Sequence, residues 1–337
     1  MSSLVLVSCA DSGEIHALSL DAVSGRLQRR QVLALGGMLM PMARHPRLRC
    51  LYVARRSEPL AVVTLAIAPQ GDLECVHEAP LPESMAYLSC DRSGRWLLSA
   101  SYGGDCVAVG PVDPQGRAFG ADRVWPTGRH AHCVVADPAN RFVLATALGA
   151  DCLHRYLFDE QTGALTPTEP PVIAVRPGAG PRHLVFNAQG TRLYLLNELD
   201  AGIDVFSCEP ATGALTALQR VSCLPAGFSG EPWAAELRLS PDGRWLLATE
   251  RRSSTLSVFA VERDDGLLAL RAQADVEAQP RGMQLSPDGR HVLVAGQASH
   301  HLSSLALDPR TGDLAPCDRI GLGPGPNWIE TLTLPLG

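Results

Sequence analysis

The chain has 337 residues, 46% of them hydrophobic and 19% charged, which is enough to bury a large core. A net charge of −6 and a pI near 5.9 give no basic field for nucleic acid or an anionic membrane surface, and neither is expected as a partner. The sequence contains no lysine, so all 29 basic residues are arginine; lysine Schiff-base chemistry and the lysine-bearing phosphate loop are excluded together.

From the N-terminus, Met1-Ser2-Ser3-Leu4-Val5-Leu6-Val7 is apolar but too short and uncharged for a secretion signal. No later run approaches the roughly 18–20 apolar residues of a membrane helix. The ten cysteines are scattered, with no C-x-x-C pair or zinc spacing, and read as reduced thiols in a cytoplasmic protein.

A repeat then dominates the chain. Ser240-Pro241-Asp242-Gly243-Arg244-Trp245-Leu246-Leu247-Ala248 returns as Ser286-Pro287-Asp288-Gly289-Arg290-His291-Val292-Leu293-Val294, with looser copies starting at His45, Asp91, Asp137 and Asn187. The six starts are 46, 46, 50, 53 and 46 residues apart. Each polar tetrapeptide reads as a tight turn between two strands. An alternating third strand, a second turn (Pro210-Ala211-Thr212-Gly213; Pro309-Arg310-Thr311-Gly312) and a fourth strand follow. Four strands in about 45–50 residues make a propeller blade. Residues 4–34 hold the last three strands of a unit, and 326–334 hold a lone first strand. Pairing them closes a seven-bladed, all-β ring, read as one domain over residues 1–337.

Registering the repeats on the turn glycine picks out two rings of equivalent positions. Eight residues before it lie Met40, Ala86, His132, Arg182, Ala235, Arg281 and, at the closing strand, Asn327; eight after it lie Arg56, Tyr102, Leu148, Glu198, Arg251, Gln297 and, in the first strand run, about Cys9. First strands line a propeller channel, so these rings should share one rim. Four arginines against one carboxylate leave uncompensated positive charge, which calls for an anionic ligand. One carboxylate in fourteen positions gives no expectation of a metal site, and no cofactor is expected. Strand alternation turns His183 away from the pocket and Glu236 into its blade as a structural partner. His300 and His301 follow a strand, point oppositely and form a poor chelating pair, with at least one on the rim. Tyr102 precedes a glycine loop and reads equally as a lid or as core.

The motifs His130-Ala131-His132, Gly180-Pro181-Arg182-His183, Asn197-Glu198-Leu199, Gln279-Pro280-Arg281-Gly282 and Gly325-Pro326-Asn327-Trp328 resemble those of the bacterial seven-bladed 6-phosphogluconolactonases. The carboxy-muconate cyclases of the same superfamily are a more distant likeness. The resemblance implies a catalytic set of His132, Arg182, Glu198 and Arg251, acting without metal on a small anionic lactone. Arg281, Gln297, His300, His301, Arg56 and Tyr102 are the expected substrate-binding residues. His132 or Glu198 is the base, with neighbouring arginines favouring Glu198 as an orienting carboxylate. The expected assembly is a monomer or weak homo-oligomer. Two other readings stay open: a lactonising cyclase and a non-catalytic binding propeller.

Overall fold

A computed structural model describes residues 2–121 and 123–334. The expected domain bounds, Met1 and Gly337, lie outside the described residues. Seven four-stranded antiparallel sheets form the ring. Blade 1 takes its inner strand, Pro326–Thr333, from the C-terminal end and pairs it with Ser2–Cys9, Glu14–Asp21 and Leu27–Ala34. The inner strands of blades 2 to 7 are Leu39–Arg44, Met85–Cys90, Ala131–Ala136, Pro181–Phe186, Ala234–Leu239 and Pro280–Leu285. Each packs against the next, and the closing strand touches both blade 7 and blade 2, so no inner edge is left open. Among the described residues the only helical turn is Leu148–Ala150, and no helix is long and apolar enough to cross a membrane.

The turns work as their residues dictate. Gly243 sits at φ 71° and donates its N–H to the Ser240 carbonyl at 2.8 Å. In the Asp137 turn, Asn140 takes the left-handed place at φ 58°, a conformation asparagine tolerates. Asp137 Oδ1 accepts from the N–H groups of Arg141 and Phe142, each at 2.7 Å. In the blade 2 turn, His45 Nδ1 does the same work, accepting from Arg47 and Leu48.

Burial falls from the axis outwards. Inner and second strands are almost wholly buried, whereas outer strands such as Leu73–Pro80 alternate with solvent. Blades interlock through their second turns. Gly163 of blade 4 lies on Trp96 of blade 3, where a Cβ would come within 2.5 Å of the indole. The closing strand is pinned at its first turn. Asn327 Nδ2 donates to the Gly325 carbonyl at 2.9 Å and reaches the carbonyls of Ser8 and Leu39, while Ser8 Oγ donates to Asn327 Oδ1.

One feature of the inner strands bears directly on the site. All seven pair with their second strand through a register shift at the same place, between Pro181 and His183 in blade 5 and between Pro280 and Gly282 in blade 7. The shift takes in Met40, Ala86, His132, Arg182, Ala235, Arg281 and Asn327, together with Pro41, Cys133 and Glu236 in blades 2, 4 and 6. A bulge leaves its extra residue out of the ladder and re-aims its side chain. The repeat register of the sequence therefore lands on the seven bulges.

Candidate active site

The outer ring of site residues is set by one recurring backbone bond. Arg56, Leu148, Glu198, Arg251 and Gln297 each donate their N–H to a carbonyl just ahead of the inner strand, of Met38, His130, Gly180, Trp233 and Gln279 respectively. Five second strands thus deliver the same position to the same rim, and in blade 1 the equivalent bond, to the Gly325 carbonyl, comes from Ala10 rather than from the expected Cys9.

Arg182 and Glu198 meet there across the blade 5 hairpin. Arg182 Nε donates to Glu198 Oε2 at 2.7 Å, and Arg251 Nη2 of blade 6 lies 2.9 Å from the same oxygen. Trp233 Nε1 donates to the other oxygen at 3.2 Å. The Arg251 guanidinium is fixed further, its Nε to the Trp233 carbonyl and its Nη2 to that of Ala234, with Cζ 3.7 Å from the Trp233 ring centroid. Arg182 and Arg251 are among the largest fully buried side chains of the protein. Of Arg182, only Nη2 lacks a protein partner among the described residues, since Nη1 donates to the Ala235 carbonyl and to His183.

Burial alone would raise the Glu198 carboxyl, but Arg182, Arg251 and Arg281 outweigh it and bring its pKa below the ordinary range. Glu198 is therefore an ionised anchor of two arginines. Burial and the Arg182 charge push Arg281 down to about 10, the direction expected where cations outnumber anions. Arg281 donates to no protein group among the described residues, and Arg56 adds to the positive field around it. Arg56 itself is steadied by Ser84 Oγ at 3.0 Å and by the Met40 sulfur.

His132 enters from blade 4. It is 4% exposed, and its Nδ1 has no partner among the described residues. Burial, then the charges of Arg182, His183, Arg281 and Arg251, hold its pKa well below the ordinary imidazole value, so it is neutral at neutral pH. Tyr102 stands edge-on to it at 6.2 Å and stacks flat on His130, with centroids 4.1 Å apart. His130 is held at φ 62° by Asp105, which accepts its N–H at 2.7 Å.

The structure thus gathers His132, Arg182, Glu198, Arg251 and Arg281 at one mouth, with Tyr102 and Arg56 on the same rim. Gln297 is half-buried at the equivalent place in blade 7. The two rim histidines behave differently. His300 is exposed, its Nδ1 accepting the Gly325 N–H at 3.3 Å. His301, expected to bind substrate, opens the third strand, bonds the Ser299 carbonyl at 2.6 Å and lies beside Gly321 of the outer strand. That position is on the blade's flank, away from the axis.

His183 departs from expectation, and Glu236, buried and paired as expected, points across to the neighbouring blade rather than into its own. The bulge interrupts strand alternation, so Arg182 and His183 both face the channel. The His183 ring lies 5.1 Å from that of His132 and 5.1 Å from Tyr87. Glu236 falls in the equivalent bulge of blade 6 and meets His183 Nδ1 at 2.8 Å. The sequence reading also missed Trp233. Its one signal was its place immediately ahead of an inner strand, where a large aromatic has no core of its own to fill.

The fold has a counterpart among known proteins. The family described as lactonase, 7-bladed beta-propeller, matches residues 4–331, and the chain belongs to that family. Within it, the chain is 36% identical over 334 residues to a 6-phosphogluconolactonase of Pectobacterium carotovorum, covering 99% of this chain and 100% of that one. A 6-phosphogluconolactonase of Sodalis glossinidius is 36% identical over 332 residues, covering 98% and 99%. The solved periplasmic gluconolactonase PpgL of Pseudomonas aeruginosa superposes with a TM-score of 0.90 at 29% identity, covering 99% of this chain and 100% of that one.

Proposed function

We propose that this protein hydrolyses 6-phosphogluconolactone to 6-phosphogluconate without a metal, as a step of the pentose phosphate pathway. The observation that carries the reading is the charge of the mouth: four guanidiniums, from Arg56, Arg182, Arg251 and Arg281, face one carboxylate, Glu198. Such a pocket is completed by an anion and repels a cation. The names of the curated relatives supply the substrate.

In this reading neutral His132 accepts a proton from the attacking water, whose oxygen bonds to the lactone carbonyl carbon. Arg182 Nη2 and Arg251 stabilise the oxyanion that forms. Glu198 keeps both guanidiniums in place. The ring C–O bond then breaks, and protonated His132 gives its proton to the leaving alkoxide. An imidazole of depressed pKa is a weak base but a strong conjugate acid, which suits this second step. Arg281, Arg56 and Gln297 hold the phosphate, and the Tyr102–His130 stack walls the sugar. The reading includes a cytoplasmic location, supported by ten free thiols, and a monomer or weak homo-oligomer in which residues 1–337 act as one domain.

A second substrate class, unphosphorylated sugar lactones, is favoured by the likeness to PpgL. The test is hydrolysis of freshly made 6-phosphogluconolactone and of gluconolactone, in chelator and corrected for the spontaneous reaction. A kcat/KM higher for the phosphorylated lactone by about 10-fold or more is expected from charge-assisted phosphate contacts. Equal values would move the assignment to unphosphorylated lactones, and loss of activity in chelator would sink the metal-free mechanism.

A further inference from the structure

Beneath the mouth, three buried side chains on two neighbouring blades form a chain of bonds that the mechanism above does not use. Arg182 Nη1 lies 3.0 Å from His183 Nε2, and His183 Nδ1 lies 2.8 Å from Glu236 Oε1. His183 is 2% exposed and Glu236 is 1% exposed.

The hydrogen positions follow from the partners. A guanidinium only donates, so His183 Nε2 carries no proton in this arrangement. The single proton of the neutral ring is then on Nδ1. Glu236 Oε1 already accepts the Leu237 N–H at 3.1 Å, which makes it an acceptor for Nδ1–H as well. Arg238 stands 3.5 Å from the other Glu236 oxygen and keeps that carboxylate in place. Both ends therefore select the same tautomer. Because Nε2 is occupied by Arg182, His183 has no free lone pair to take a proton from water.

We propose that Glu236 and His183 are positioning residues for the lactonase reaction: Glu236 fixes the tautomer of His183, and His183 holds Arg182 Nη1 so that Nη2 faces the reacting carbonyl. With Nε on Glu198 and Nη1 on His183 and Ala235, the guanidinium plane is fixed by three partners and has one edge to offer. This rests on the lactonase reading, in which Arg182 contacts the oxyanion. A protonated His183 would turn an N–H towards a guanidinium and release Arg182, so the arrangement also sets an acid limit on turnover. The groups facing the ring are Tyr87 of blade 3, His132 of blade 4, Glu236 and Arg238 of blade 6 and Trp328 of the closing strand, with Arg281 and Arg251 adding positive charge. Burial first, and then the charges of Arg182, Arg238, Arg281 and Arg251, hold the His183 pKa well below the ordinary imidazole value and keep the ring neutral.

The test combines a coupling measurement with a spectroscopic one. His183→Leu should lower kcat by about 10²-fold, the scale of a misplaced catalytic group, with little change in KM. His183→Gln, whose amide oxygen reaches the place of Nε2, should recover at least about tenfold of that loss. In an Arg182→Lys background, which keeps the charge but has no Nη1, His183→Leu should cost less than about threefold more. Additive losses in the double variant, or wild-type kcat in folded His183→Leu, would overturn the proposal. Nitrogen-15 NMR of histidine-labelled wild-type protein, with His183 assigned by its loss in the Gln variant, should find Nδ1–H and bare Nε2. An Nε2–H tautomer overturns the proposal whatever the kinetics. A wild type inactive on every lactone sinks the lactonase reading and with it the positioning role, while the NMR result still decides the geometry.

Discussion

Glu198 is the carboxylate on which the mouth depends, and Glu198→Gln tests that most directly. The isosteric amide offers one acceptor oxygen where Arg182 Nε, Arg251 Nη2 and Trp233 Nε1 all present N–H groups. One of the three donors must then meet an N–H, and two buried guanidiniums lose their counter-charge. Breaking a buried pair from one side costs about 3–5 kcal/mol. Over 337 residues the unfolding entropy is about 0.7 kcal/mol/K, so the loss becomes a fall in Tm of about 4–7 °C. An added anion should return part of it. Phosphate at about 20 mM, binding with a Kd of about 1 mM, contributes about 1.8 kcal/mol, or about 2–3 °C. Wild type, with Glu198 in place, should gain less. Turnover should fall by about 10²-fold as the arginines lose their placement. Calorimetry with and without phosphate reads the stability terms. A variant melting within about 1 °C of wild type, with the same phosphate response, would show that the mouth carries no excess positive charge and refute the reasoning.

Four further outcomes follow from the structure. His132→Gln should lower kcat by about 10²–10⁴-fold; near wild-type turnover removes it from proton transfer. The same residue has a pH signature: its pKa is lowered by burial and by Arg182, so below about pH 6.5 the unfolded chain takes up a proton that the folded chain refuses. Wild type should lose about 1.4 kcal/mol relative to His132→Gln between pH 7.5 and 5.5, measured by denaturant unfolding, and a constant gap would contradict a neutral buried His132. Trp233→Phe keeps an aromatic face under Arg251 but removes the donor to Glu198, and should cost about 0.5–1.5 kcal/mol of stability in the same assay. Asn327→Ala leaves the carbonyls of Gly325, Ser8 and Leu39 short of a donor where the ring closes. A loss of about 1–3 kcal/mol is expected, and an unchanged midpoint would remove Asn327 from that role.

The ring was legible because a repeat repeats its punctuation. Ser-Pro-Asp-Gly turns and alternating strands recur at a nearly constant spacing, and the unmatched strand at each end of the chain had one way to be satisfied. The rim positions were legible for the same reason: counting from one turn residue keeps register along a strand pair. The directions of His183 and Glu236 were not legible, because the count assumes strict alternation and each inner strand breaks it. Nothing in Pro181-Arg182-His183 announces a bulge, since Arg182 is simply skipped between the Pro181–Asn197 and His183–Leu196 pairs, with no turn residue to mark it. Trp233 occupies the repeat position of Met38, His130, Gly180 and Gln279, two places ahead of the bulge, but the count was taken only to the two rings and so stopped short of it.

The bulge also explains how a sevenfold scaffold yields a one-sided site. Every blade presents the equivalent ring position at the same height, yet in four of them it is Met40, Ala86, Ala235 or Asn327, none of which carries a charge. Blades 4, 5 and 7 place His132, Arg182 and Arg281 there instead, and blades 5 and 6 add Glu198 and Arg251 from the second strand. Arg182 of blade 5 and Glu236 of blade 6, both at bulges, are joined through His183. The site groups are thus concentrated in blades 4 to 7, with Arg56 of blade 2 added from its second strand, and their fixed partners lie deeper in the channel. A side chain held at a bulge by a neighbouring blade cannot move without shifting that blade. The rigidity of the mouth is therefore inherited from the packing of the whole ring, and substitutions at His183 or Glu236 should be felt at Arg182 first.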